Sequence, residues 1–199
     1  MECKINNTPE TKEKDYRQVE VMKNWYSVME ELGKDVLKIN IDYGLIPGVN
    51  KPVLLKPGAE KLCKAFDLQV KSIDCISEKV ELNNNYIDFS YKCIITSKSG
   101  IRLGICDGNA NSKEEMFRYM YVPAAKVPCK KELDLLKFEG KGKWKKVNDK
   151  WVWFERTENL DILSLKNSIQ KVAQKRAFVG AILMAVGASE FFTQDIISN

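Results

Sequence analysis

Lys175 and Arg176 stand side by side in a stretch whose other residues are mostly small or apolar, and their chemistry is the recognition of anions. At 3.6 residues per turn, Leu165, Ile169, Val172, Val179, Leu183 and Val186 form one helical stripe, and Arg176 projects near its middle. An unpaired guanidinium buried there would cost about 3 kcal/mol or more. Two arrangements avoid that cost. Arg176 either meets a carboxylate in a structural ion pair or lines a groove, beside Lys175, that receives a phosphate. Lys171, one turn earlier, belongs with the same polar face as Asn167, Gln174 and Lys175, and Phe178 is expected beside it as an exposed aromatic. A second stripe, Ala173, Ala177, Gly180, Ala181 and Ala188, is small enough for close backbone approach and is expected against a sheet, with Gly187 as the helix stop.

Other chemistries lack their residues. The chain of 199 residues has no histidine, which removes Ser-His-Asp and Cys-His mechanisms and most proton shuttling near neutral pH. The run EGKGKW at 139–144 lacks the spacing of a phosphate-binding loop that opens a helix. The six cysteines never form a C-x-x-C, so neither structural zinc nor a disulfide framework is expected, and Cys63, Cys75 and Cys93 read as small core residues. No catalytic residue, metal or cofactor is expected.

The net charge of +5 is localised. Residues 126–156 carry ten Lys or Arg against five Asp or Glu, which accounts for the whole excess. Phe138, Trp144, Trp151, Trp153 and Phe154 are interleaved with it. That composition fits a nucleic-acid contact, and it also fits a lysine-rich hairpin protecting a sheet edge. Lys141, Lys143, Lys145 and Lys146 form a candidate basic strip, with Trp144 and Trp151 either stacking on bases or serving as hairpin core.

The elements that must position these residues follow from pattern. Residues 1–14 read as a disordered arm, and residues 15–199 as a single domain with a basic hairpin insertion at about 126–156. A helix from Asp15 to Lys38 is expected to dock through Val19, Met22, Tyr26, Met29 and Val36. A turn-rich loop from Asp42 then enters a helix beginning near Pro57. Leu68–Leu82, Tyr86–Ser97 and Ile101–Cys106 read as an antiparallel meander turned at Asn83–Asn85 and Lys98–Gly100. Ser112 has capping-box spacing to Glu115 and should start a short helix through Tyr119; a loop follows around Pro123 and Pro128. Lys143–Val147 and Lys150–Glu155 make a hairpin turned at Asn148 and Asp149, and Asp161 or Ser164 caps the final helix. The class is α+β: an antiparallel β-meander packed by a long C-terminal helix, with a basic hairpin insertion and an N-terminal helix. With no run of 18 apolar residues and no signal-type N-terminus, a cytoplasmic protein without membrane contact is expected.

Three segments, DYGLIPG…KPVLLKPGAEKL, CDGNANSKEEMFRY and RTENLDILSLKNSIQKVAQKRAFVGAILMAVGASEFFTQD, resemble phage and prophage single-strand annealing proteins. The AQKRA at 173–177, followed by Gly187, is similar to the helix of the Rad-fifty-two-like annealase superfamily. The resemblance implies a β-meander with one long helix, assembled as a ring or filament of identical chains. It also implies ATP-independent single-stranded DNA binding and strand annealing in homologous recombination, with Lys175 and Arg176 on the DNA. Lys171 joins them on the phosphate backbone, and Arg102 and Arg118 are further candidates; a host single-strand-binding protein is a candidate partner. The basic, tryptophan-bearing insertion is a departure from the superfamily pattern. Two other classes remain open: a phage-encoded protein that binds a host protein through the aromatic hairpin, and a metal-dependent nuclease using the scattered acids Asp88, Asp107, Glu114 and Glu139.

Overall fold

The computed structural model describes residues 9–194, with side chains from Arg17 onward. Its centre is a three-stranded antiparallel meander, β3 (Gln69–Glu81), β4 (Tyr86–Thr96) and β5 (Arg102–Asn111), in that spatial order. The alternation of β4 puts Ile87, Phe89, Tyr91, Cys93 and Ile95 on one buried face. Asn85, in the left-handed region at φ 49°, closes the first turn. Before the meander lie α1 (Pro9–Glu31), a π-turn (Leu32–Val36), the two-residue strands β1 (Tyr43–Gly44) and β2 (Val53–Leu54), and α2 (Lys56–Ala65). After it come α3 (Glu115–Arg118), β6 (Tyr119–Pro123), α4 (Lys130–Phe138), β7 (Gly142–Val147), β8 (Lys150–Glu158) and α5 (Lys166–Val186).

Helix α5 lies across β4 and β5 through its small-residue face. Ala173, Ala177 and Ala181 are fully buried, and β5 meets them with glycines. A Cβ at Gly108 would overlap the backbone of Ala173 and Ala177, and one at Gly104 would overlap the Ala181 carbonyl. The approach is therefore backbone to backbone. Ile169, fully buried, anchors the same face and contributes about 1.5–3 kcal/mol. Gly187, at φ 72°, ends the helix with its N–H on the Leu183 and Met184 carbonyls, as the sequence suggests. The tail then returns to the loop before α2, where Leu54 N–H donates to Thr193 O and Thr193 N–H to Pro52 O.

The α+β architecture agrees with the sequence, and the differences are local. The N-terminal helix starts at Pro9 rather than Asp15, so only residues 1–8 of the expected arm lie outside the described residues. Of its expected docking face, Met29 is buried, but Val19, Met22 and Val36 are exposed. The helix is held near its end, where Trp25 Nε1 donates to Val186 O and the Trp25 and Tyr26 rings pack on Phe191. Ser112 does not cap a helix. It is buried, and its Oγ accepts from Ile87 N–H, because the third strand runs on to Asn111 and carries Ser112 under the start of β4. Tyr119 and Tyr121 belong to a strand rather than a helix end, and the loop expected after them contains α4. Asp161 serves a 3-10 turn, Leu163–Leu165, that precedes α5. Cys75 is exposed on β3, whereas Cys93 is buried as expected.

The basic insertion builds a second antiparallel sheet, ordered β6-β8-β7, by recruiting β6. Asn148 and Asp149, at φ 47° and 63°, make the two-residue turn of its hairpin. Trp153 is fully buried there against Gly142, outside the main hydrophobic cluster.

The tight α5–β5 contact is testable by calorimetry or urea denaturation. Gly108→Ala should lower stability by about 3 kcal/mol, since backbone atoms must move. Gly33→Ala, where a methyl group meets open space, should leave stability unchanged or raise it.

Candidate nucleic-acid interface

Because α5 covers β4 and β5 but not β3, the helix-side face of β3 overhangs. Register places Val70 opposite Ile95 and Ile73 opposite Cys93, so both point to the side on which α5 sits. Yet Val70 is 43% and Ile73 39% exposed. Helix α2 closes the far side of this shelf, leaving a groove of about 880 Å³ between α2, β3 and α5.

Its floor is apolar: Cys63, Val70, Ile73, Val172 and Phe178. Its rim is basic. Lys56 and Lys64 come from α2, and Lys171, Lys175 and the neutral Gln174 from α5, with Glu60 as the lone acid of the lining. Glu60 sits 3.5 Å from Lys56 in an i,i+4 pair, leaving Lys64, Lys171 and Lys175 with no ion pair among the described residues. The helical spacing on α5 produces this edge directly, since 171, 175 and 178 fall on one side. Phe178 is buried as part of the floor, which corrects the expectation of an exposed aromatic. Burial, then the Glu60 carboxylate, raises the Cys63 thiol pKa and keeps it protonated.

Arg176 faces elsewhere. Its Nη1 and Nη2 each donate to a Glu114 carboxylate oxygen at 2.7 Å, and Nη1 also donates to Asn109 O at 2.6 Å. Of the two arrangements open to this residue, the ion pair is the one present. The fork ties α5 to the turn between β5 and α3, and Arg176 does not line the groove. The adjacent lysine and arginine thus serve different sides of one helix.

The remaining candidates are dispersed. Arg102 is exposed on β5, at the opposite edge of the meander from β3. Arg118 bonds Glu158 at 3.1 Å, and Lys141 and Lys146 bond Glu139 and Asp149, each at 2.7 Å. Lys143 and Lys145 lie over the Tyr121 ring instead. Trp144 packs edge-on against Trp153 at 5.5 Å between ring centres, while Trp151 is 68% exposed near the hairpin turn. The acids considered for metal chemistry have local partners: Asp88 accepts from Tyr86 and Asn109, Asp107 sits 3.7 Å from Lys92, and Glu114 holds Arg176.

Sequence reasoning missed Lys56 and Lys64. Their signal was available, because 56, 60 and 64 repeat every fourth residue and share one face of α2. What it could not supply is the docking of α2. Asp42 is fully buried, and its Oδ2 accepts from Lys61 Nζ at 2.6 Å and Lys38 N–H at 2.8 Å. Lys61 Nζ also donates to Val36 O. Gly58 lets α2 approach the Asp42 carbonyl so closely that a Cβ would overlap it. Burial pushes the Asp42 carboxyl up, but the bonds from Lys61 and Lys38 outweigh it and hold its pKa below the usual value.

The three segments DYGLIPG…KPVLLKPGAEKL, CDGNANSKEEMFRY and RTENL…FFTQD, remote in sequence, converge on α5; Asp195 at the end of the last is outside the described residues. No family model, curated protein or solved structure matches the chain. No helix among the described residues is long and apolar enough to cross a membrane.

Asp42 has a depressed folded-state pKa, so its contribution to stability is present above the ordinary carboxylate value of about 4 and lost as pH falls through the lower folded value. Asp42→Asn should cost about 2 kcal/mol at neutral pH and flatten that acid limb, as read by denaturant titrations across pH.

Proposed function

We propose that this protein binds single-stranded DNA in the groove between α2, β3 and α5 and anneals complementary strands without a nucleotide cofactor, as a phage-type recombination protein. The observation that carries the reading is the lining of the groove: four lysines on two facing helices, one acid that is already paired, and an apolar floor. Ammonium groups on both rims neutralise phosphates, and a floor whose one polar group, the Cys63 thiol, is turned to the Leu68 carbonyl leaves base edges uncommitted and able to pair. Annealing requires that two strands be held together with their repulsion reduced, and no covalent step. A chain without histidine is suited to that task.

In this reading Lys56, Lys64, Lys171 and Lys175 contact phosphates. Arg176 positions α5 through Glu114. The resemblance to the annealing proteins, carried by the three segments that meet at α5, points the same way.

Assembly into a homo-oligomer belongs to the proposal. Strand β3 is an edge of thirteen residues with Ile76 50% and Val80 39% exposed, a surface that another copy could cover.

Fluorescence annealing of complementary oligonucleotides without nucleotide tests the function. The protein should accelerate pairing, and Lys171→Ala with Lys175→Ala should lower that rate by about tenfold while far-UV circular dichroism is unchanged. The mass of the particle should exceed that of one chain and respond to single-stranded DNA. Annealing no faster than spontaneous pairing rejects the reading.

A further inference from the structure

The second sheet has two unlike faces. Strand alternation and register put Tyr119 and Tyr121 of β6, Phe154 and Arg156 of β8, and Lys143 and Lys145 of β7 on one of them. Trp144, Trp151 and Trp153 share the other, which holds the small core around Trp153. The tryptophans singled out from the sequence therefore lie behind the sheet, while the first face is a layer of aromatic rings under cations. Lys143 Nζ stands 3.8 Å from the Tyr121 ring centre, and Lys145 Nζ 5.3 Å from Tyr121 and 4.8 Å from Phe154. The Arg156 guanidinium lies 3.8 Å over Tyr119.

The cations of this face are not equivalent. Arg156 is only 21% exposed and is fixed by Glu115 at 2.8 Å. Lys143 and Lys145 have no carboxylate partner among the described residues and rest on the rings alone. On the three strands this face carries Lys143, Lys145, Lys150 and Arg156 against Glu158, a net charge of +3, and Glu158 is occupied by Arg118. The opposite face carries Lys146 against Glu155 and is neutral.

We infer that the Tyr119–Tyr121–Phe154 face is a second binding surface for single-stranded nucleic acid, separate from the α2–β3–α5 groove. Bases stack on Tyr121 and Phe154, and Lys143 and Lys145 move off the rings to the phosphates. The exchange is favourable because an exposed cation–π contact is weaker than stacking of a base on the same ring. Stacking demands an unpaired base, so a duplex satisfies the lysines but not the rings. An acidic peptide likewise meets the charge alone. Arg156, held by Glu115, keeps Tyr119 covered and acts as the fixed end of the platform.

The test uses the full chain with a fluorescein-labelled oligothymidylate. Tyr121→Leu and Phe154→Leu should each weaken binding about tenfold, and Tyr121→Phe should bind as the wild type. Lys143→Gln with Lys145→Gln, two surface changes that leave the sheet intact, should reduce the slope of log K against log salt by about 1.4. Photocrosslinking with 4-thiothymidine should mark Tyr121 or Phe154 both in the wild type and in a Lys171→Gln/Lys175→Gln chain, which isolates this face from the groove. Crosslinks confined to α2, β3 and α5, or an unaltered salt slope in the two-lysine variant, overturn the inference. So does competition by duplex DNA or polyglutamate as effective as that by the single strand.

Discussion

The backbone contact between α5 and β5 is the constraint on which the rest depends. Gly104 and Gly108 on the strand and Ala173, Ala177 and Ala181 on the helix bring the two main chains together with no side chain between them. A helix held that close to β5 covers β4 and stops short of β3. Strand β3 is then left with an apolar face that α5 does not cover, and α2, fixed by the Asp42–Lys61 pair, stands on its far side. The groove is thus a consequence of close packing elsewhere, rather than a cavity carved into a core.

Charge is arranged on the same frame. Along one turn of α5, Arg176 points to the β5 side and is neutralised by Glu114, while Lys175 points to the groove and keeps its charge. The bidentate pair fixes the helix in rotation, so the lysine one residue earlier is aimed rather than merely exposed. Electrostatic attraction for a polyanion then follows from what is left unpaired: Lys64, Lys171 and Lys175 at the groove, and Lys143 and Lys145 on the second sheet.

Much of this was legible in the sequence wherever a pattern had one physical solution. The small stripe of α5, the Gly187 stop, the alternation of β4 and the two-residue Asn148–Asp149 turn all correspond to elements of the structure. Legibility failed where tertiary context decided. Tyr119 and Tyr121 became a strand because β8 offered an edge to pair with, and Ser112 gave its hydroxyl to Ile87 N–H rather than to a helix. The spacing of Lys175 and Arg176 suggested an anion or an ion pair without distinguishing which residue took which role. Lys56 and Lys64 share a helix face, but nothing local reveals that this face looks across at Lys171 and Lys175.

The central claim is that the four groove lysines grip a nucleic-acid backbone, and the salt dependence of single-strand affinity measures it most directly. Replacing Lys56, Lys64, Lys171 and Lys175 by glutamine should reduce the slope of log K against log salt by about 2.8, the share of four phosphate contacts. A folded variant whose slope and affinity match those of the wild type would contradict the account.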